Sequence, residues 1–262
     1  MQKNISYEKG VIVASDAKLE WLLPFWWLNY SLWNNFPVAF IDFGMSEKAI
    51  KWCKQRGMYI RHKETIHVSD KDGIDPSLTE RWSKITKYPN IWSLRREWFK
   101  KPSAFLLSPF EKTLWLDLDC EVRKDISEIF SFCDTQAQIS LTPTRDTRKK
   151  ALQELGLLYP DENYYNSGVV VFHKNSKIIA SFAKRAHTDN HLFFGDQDLL
   201  SRILYEEKIP YIELPSVYNY IPHEKDDVNA KIYHWSGTWG KVELLKMVAG
   251  LNALPFKLFD FQ

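Results

Sequence analysis

The chain has 262 residues, with 35 basic and 33 acidic side chains, a formal net charge of +2 and 45% hydrophobic residues. This length and apolar share suit one large α/β domain with a full core, and the even charge balance lacks the basic excess that marks a nucleic-acid-binding protein. Cys53, Cys120 and Cys133 have no paired spacing, which argues against a disulfide framework and a thiolate zinc site and points to a reducing, cytoplasmic setting.

The first residues lack the basic-then-apolar run of a secretion signal. Residues 10–15 form a short apolar run with β-branched members, which predicts a strand. The apolar stretch 19–33 reads as a helix; it contains Pro24 and Asn29 and falls short of the ~20 residues needed to span a bilayer. A second strand is expected over 37–42. Ser46 then serves as an N-cap for a helix through Arg56 that Gly57 closes, and 58–61 gives a third strand. This β-α-β-α-β alternation implies a mostly parallel central sheet flanked by helices. Residues 63–90 are polar and read as a loop. Residues 91–107 read as a helix interrupted near Pro102. Further strands are expected at 113–117, 138–141 and 168–172, and further helices at 179–187 and 196–206. Most of the eleven Trp residues are assigned to the core. The apolar stretch 242–261 carries Lys246 and Lys257; it reads as a helix on the core, with peripheral contact at the inner face of a membrane as the alternative.

The chemistry concentrates in a few places. Leu116-Asp117-Leu118-Asp119 places two carboxylates two residues apart at the end of an apolar strand. In an extended segment both would point to one side. They would sit at the carboxyl edge of the sheet, where open α/β folds bind ligands. Two converging carboxylates repel unless a cation lies between them, and Mn²⁺ or Mg²⁺ accepts such oxygens. Asn166-Ser167-Gly168 opens a Val-rich strand, and a glycine there suggests close approach to a ligand. Asp196-Gln197-Asp198 precede a helical run; they could cap it or face a reacting sugar. His234 adds an imidazole, while Gly237, Gly240 and Lys241 could admit and neutralise a phosphate.

Taken in this order, these elements resemble glycosyltransferase family 8, which includes glycogenin and bacterial galactosyltransferases of cell-surface oligosaccharides. The resemblance runs from Val11 to Lys241. It implies the GT-A nucleotide-diphospho-sugar transferase fold, a UDP-sugar donor, a saccharide or other hydroxyl acceptor, and retaining transfer with Mn²⁺ (or Mg²⁺) on the diphosphate. By the resemblance Asp117, Asp119 and His234 are metal ligands, and Ala14 and Asp16 touch the uridine. Lys241 holds the diphosphate near Gly237, and Lys100 or Lys101 fills a basic position before the metal strand. Asn166, Asp196 and Gln197 line the sugar, with Asp198 beside them. The sequence departs from the family pattern after Lys241, where Val242-Glu243 replace the usual Pro-Trp. One catalytic domain over 1–262 is expected, with a nucleotide-binding half at about 8–122, an acceptor half at about 123–241 and a helical tail at 242–262. Three alternatives remain. One is an inverting enzyme of the same fold using Asp198 or Glu224 as base. Another is an inactive nucleotide-sugar-binding protein. The last is a nucleotidyltransferase, disfavoured because residues 14–18 carry no glycine.

Overall fold

The computed structural model describes residues 7–86, 90–134, 136–222 and 226–252. Its central sheet has seven strands: β1 (Tyr7–Ser15), β2 (Val38–Asp42), β3 (Met58–Arg61), β4 (Phe110–Leu116), β6 (Ile139–Pro143), β7 (Tyr165–His173) and β8 (Ile212–Glu213). They run in the order β3-β2-β1-β4-β7-β6-β8. The pairings of β1 with β2 and β4, of β2 with β3 and of β6 with β8 are parallel, whereas β7 is antiparallel to both its neighbours. The expected mostly parallel sheet is therefore present, with β7 as an inserted reversed strand. A separate ribbon pairs β5 (Cys120–Val122) with β9 (Ile232–His234), antiparallel, with Cys120 opposite His234.

Alternation along each strand builds two cores, one on each face of the sheet. Val11 and Val13 of β1, Leu114 and Leu116 of β4, and Val169 and Val171 of β7 enter one core. Ile12, Trp115, Val170 and Phe172 enter the other. A sheet covered on both faces needs apolar residues at every position, which is why its strands read as unbroken apolar runs. On the first face α1 (Leu23–Trp33) stacks Trp26 on Tyr30 at 5.1 Å, next to α2 (Glu47–Lys54), which starts at the predicted Ser46 cap. On the second face lie α5 (Lys101–Phe105), α7 (Lys177–Thr188) and α8 (Asp196–Glu207).

The structure revises several expectations. Residues 63–90 include α3 (Pro76–Ile85), started by Asp75 accepting from the Ser77 amide, with Pro76 in the first turn. The helix expected over 91–107 is interrupted near Pro102 as expected, into α4 (Ile91–Trp98) and α5, with Pro102 in the first turn of α5. Between β6 and β7, where no element was expected, lies α6 (Asp146–Glu154). β4 ends at Leu116, and the Cys120 amide donates to the Asp117 carbonyl at 3.0 Å. Asp117 and Asp119 thus lie in a tight turn, not along an extended strand. Gly168 sits in the middle of β7 rather than at its start. The last described helix, α9 (Gly237–Asn252), begins before residue 242, so Lys241 and residues 242–252 share one helix. Among the described residues no helix is long and apolar enough to cross a membrane. The tail beyond 252 lies outside the described residues.

Candidate active site

The parallel strands β1 and β4 point their carboxyl ends at the same edge of the sheet. Residues from that edge, from α9 and from the β7–α8 side line one cleft of about 1400 Å³. Ala14, Asp16, Asp117, Asp119, Asn166, Asp196, Gln197, Asp198, His234, Gly237 and Lys241 all face it, as does Lys101. Lys100 instead pairs with Glu97 at 2.6 Å.

The acidic turn meets His234 because β9 pairs with β5 directly after it, and the Trp235 amide donates to the Asp119 carbonyl. His234 is buried, with Nε2 at 3.4 Å from Asp119 Oδ1 and 3.8 Å from Asp117 Oδ2. The ring fits only because residue 168 is glycine. A Cβ there would stand 2.1 Å from His234 Cε1. The close approach inferred from the sequence is thus made by an imidazole of the protein itself. Burial works to raise the Asp119 pKa, but Lys241 Nζ, at 3.0 Å, and His234 outweigh it and hold the carboxyl well below the usual range. Cys120 also lies beside Asp119 and His234. Burial pushes its thiol far up, and the S–H points at the Gly168 carbonyl, so it stays a protonated, poor ligand.

Lys101 is buried between Asp117 (3.0 Å) and Asp196 (3.2 Å) and donates to Ser167 Oγ at 3.1 Å. Burial alone would discharge the amine; the two carboxylates more than reverse that and raise its pKa. Asp117 is further held by the Trp115 indole N–H at 2.6 Å. Asp16 uses Oδ1 to accept from the amides of Lys18 and Leu19, so it caps the turn after β1 at the cleft wall. Gly237 adopts φ 78°, a left-handed conformation that starts α9 and brings Lys241 to Asp119.

On the β7–α8 side, Asp196 Oδ2 accepts from Ser167 Oγ at 2.7 Å. The Gln197 amide lies between Asn166 and Tyr164. Asp198 accepts from the Gly195 amide at 2.9 Å and from the Tyr164 hydroxyl at 3.0 Å, so it does cap α8. Burial nevertheless pushes its pKa up to about 6. Among the residues at the cleft to which the sequence reading gave no role are Ser167, Asn219 and Thr142, with Tyr164 behind Gln197. Ser167 follows Asn166 directly and Tyr164 lies two residues before it, so both were within reach of that motif. Asn219 sits in a stretch with no pattern, and nothing local marks it. Thr142 lies at an irregularity between β6 and β7, lines the cleft, and its buried Oγ1 has no hydrogen-bond partner among the described residues.

A mostly parallel sheet with one reversed strand, and an acidic turn at the exit of β4 facing a histidine on a small ribbon, is the architecture of a GT-A glycosyltransferase. The model of glycosyl transferase family 8 matches residues 14–241, and the chain belongs to that family; it is an enzyme, a glycosyltransferase. Solved structures agree on the fold. The galactosyltransferase LgtC, solved with donor and acceptor sugar analogs, is 14% identical with a TM-score of 0.62, covering 94% of this chain and 97% of LgtC. Mouse xyloside xylosyltransferase 1 is 17% identical with a TM-score of 0.53, covering 89% of this chain and 98% of its own. Core-mannan synthase A from Aspergillus fumigatus, in an Mn/GDP form, is 10% identical with a TM-score of 0.52, covering 76% and 70%. No curated protein matches the sequence.

Proposed function

We propose that the enzyme moves a sugar from a nucleotide-diphosphate sugar, a UDP-sugar, to a hydroxyl of a saccharide acceptor, with retention of anomeric configuration. The observation that supports this most is the convergence of Asp117, Asp119 and the His234 Nε2 beside Lys241 in the cleft. Two carboxylates and an imidazole suit a divalent cation, Mn²⁺ or Mg²⁺. Such a cation, when bound, neutralises charge on the departing diphosphate.

The chain's own residues supply the rest. Lys241 Nζ, now 3.0 Å from Asp119, is a cation placed to pass to a diphosphate. The amide groups at the start of α9, next to Gly237, suit an anionic oxygen. Lys101 pins Asp117 and Asp196 in place. Ala14 and Asp16 offer the edge of β1 to the base. Asn166, Asp196 and Gln197 border the space for the sugar, where positive charge develops at the anomeric carbon. The leaving phosphate oxygen can take the acceptor's proton on the same face, so no protein base is required. An inverting route through Asp198 is less favoured, because both its oxygens already accept from Gly195 and Tyr164. Glu224 lies outside the described residues. The nucleotide-binding and acceptor halves, divided near residue 122, belong to this proposal. So does a cytoplasmic setting, consistent with the three free cysteines. Val242 and Leu245 are exposed yet line the cleft, so we assign that face of α9 to the site rather than to a membrane.

Thermal shift with UDP, GDP and CMP, each with and without Mn²⁺, tests the reading. Stabilisation that needs UDP and metal together supports it, because only the folded state would hold the pair. A GDP-selective shift moves the donor to another nucleotide. No shift with any pair sinks the proposed donor and metal.

A further inference from the structure

The cleft contains a run of hydrogen bonds whose direction can be worked out atom by atom. The Gly168 amide can only donate, and it donates to Asn166 at 2.9 Å, so the atom receiving it is the Asn166 carbonyl oxygen. The Asn219 atom 2.9 Å from that oxygen must be its amide nitrogen. The other end of Asn219 is then oxygen, and the His234 Nδ1 3.0 Å away must carry a proton. Nε2 is left as the nitrogen that faces Asp119 and Asp117. In the other direction, the Asn166 nitrogen donates to the Gln197 carbonyl oxygen at 3.3 Å. The Gln197 nitrogen donates to the Tyr164 hydroxyl, which donates to Asp198 Oδ1. The second Asp198 oxygen is held by the Gly195 amide. Each link has one donor and one acceptor; the Gly168 N–H fixes the sense at one end, and the Asp198 carboxylate, which only accepts when ionised, closes the other. Turning over any one amide would set N–H against N–H or oxygen against oxygen at its link to a neighbouring amide.

We propose that Tyr164 and Asn219 are positioning residues on this one-way chain, Asn219 fixing which His234 nitrogen meets the cation and Tyr164 fixing which end of the Gln197 amide is carbonyl. The inference rests on the proposed site, with His234 as a metal ligand and Gln197 beside the sugar. Imidazoles that ligate metals are normally oriented by a partner on the opposite nitrogen, and Asn219 is that partner here. Neither residue reaches the reacting atoms. Asn219 acts through His234, and Tyr164, itself buried, acts through Gln197.

Three variants separate the two ends. Asn219→Leu removes both of its links, and Mn²⁺ affinity, titrated calorimetrically with UDP present, is expected to fall roughly 10- to 100-fold. Asn219→Asp still accepts from His234 but cannot donate to Asn166; it is expected to keep Mn²⁺ affinity and lose turnover. Tyr164→Phe is expected to keep Mn²⁺ affinity and donor KM while kcat falls. Equal loss of metal affinity in Tyr164→Phe and Asn219→Leu, or none in Asn219→Leu, overturns the proposal. A readout that needs neither metal nor activity is the nitrogen-15 spectrum of the His234 ring in the metal-free protein, assigned with His234→Gln. A proton on Nδ1 is expected, and a bare Nδ1 at neutral pH refutes the chain even if Asn219→Leu fails to fold. If the wild type binds no Mn²⁺ with UDP, the metal-site reading falls, while the ring spectrum still decides the direction of the chain.

Discussion

Asp119 is buried and ionised because Lys241 and His234 lie against it, and Asp117 is held from two sides by Lys101 and Trp115. Neither carboxylate is needed to close the turn, whose backbone bond runs from Cys120 to Asp117. Asp117→Asn and Asp119→Asn should therefore keep the fold and lose transfer by two orders of magnitude or more, on the order of 3 kcal/mol in transition-state stabilisation. A variant with near wild-type turnover under saturating donor would remove the pair from the site. Gly168→Ala is the opposite kind of change. Its methyl would overlap the His234 ring, so the ring or β7 must shift. Overpacking of this kind costs about 1–3 kcal/mol, and Mn²⁺-dependent nucleotide affinity should drop with it in the same titration. At this scale the sequence was most readable where partners are neighbours in the chain, as in 117–119 and 196–198. Asn219 could not be read, since its function depends on residues 166 and 234, which only the fold brings near.

Among the elements, α4 carries a buried arginine that ties the approach to α8. Arg95 donates to the carbonyls of Asn190, Phe193 and Phe194 and to that of Ser69. Burial lowers its pKa to about 10, so it remains charged. Arg95→Met would take a donor from four carbonyl groups, those of Asn190, Phe193 and Phe194 being bonded to it in buried positions. We expect a loss of about 3 kcal/mol in denaturant unfolding and a fall in turnover, because the Phe193–Gly195 segment leads into Asp196 and Gln197. At the start of α8, burial raises Asp198 from 3.8 to about 6. The native state then binds this proton more tightly than the unfolded chain. Its contribution to stability is present below about pH 4 and is lost as pH rises to about 6, on the order of 2–3 kcal/mol in all. Unfolding measured from pH 4 to 7 should show that decline in the wild type relative to Asp198→Asn; parallel curves would show that Asp198 titrates normally. The missed helices α3 and α6 have a common cause. Asp75-Pro76-Ser77 is as good a turn signal as a helix start, and α6 is mostly polar, burying only Leu152, so little apolar periodicity marked it.

Over the whole molecule, the parallel half of the sheet was legible because β-α-β alternation implies direction as well as pairing. The reversal of β7 was not, since an apolar run such as 168–172 reads the same in either sense. Its direction is set by pairing with β4 and β6. The family resemblance carried across this gap, and the family match over 14–241 agrees with it. A further consequence at this scale concerns linkage. His234→Ala should abolish the extra stabilisation that Mn²⁺ adds to UDP while leaving any metal-free UDP shift in place. Unchanged metal dependence would return His234 to a purely structural role.

The ribbon of β5 and β9 has an implication for how the enzyme is made. Lys241, which meets Asp119, is synthesised 122 residues after it, and β9 follows every strand of the main sheet. A nascent chain can thus lay down all seven strands while its catalytic centre lacks a wall. The proposed site is complete only once β9 and α9 have been added, and the same two elements close the core of the first face with Ile232, Tyr233, Trp235 and Leu244.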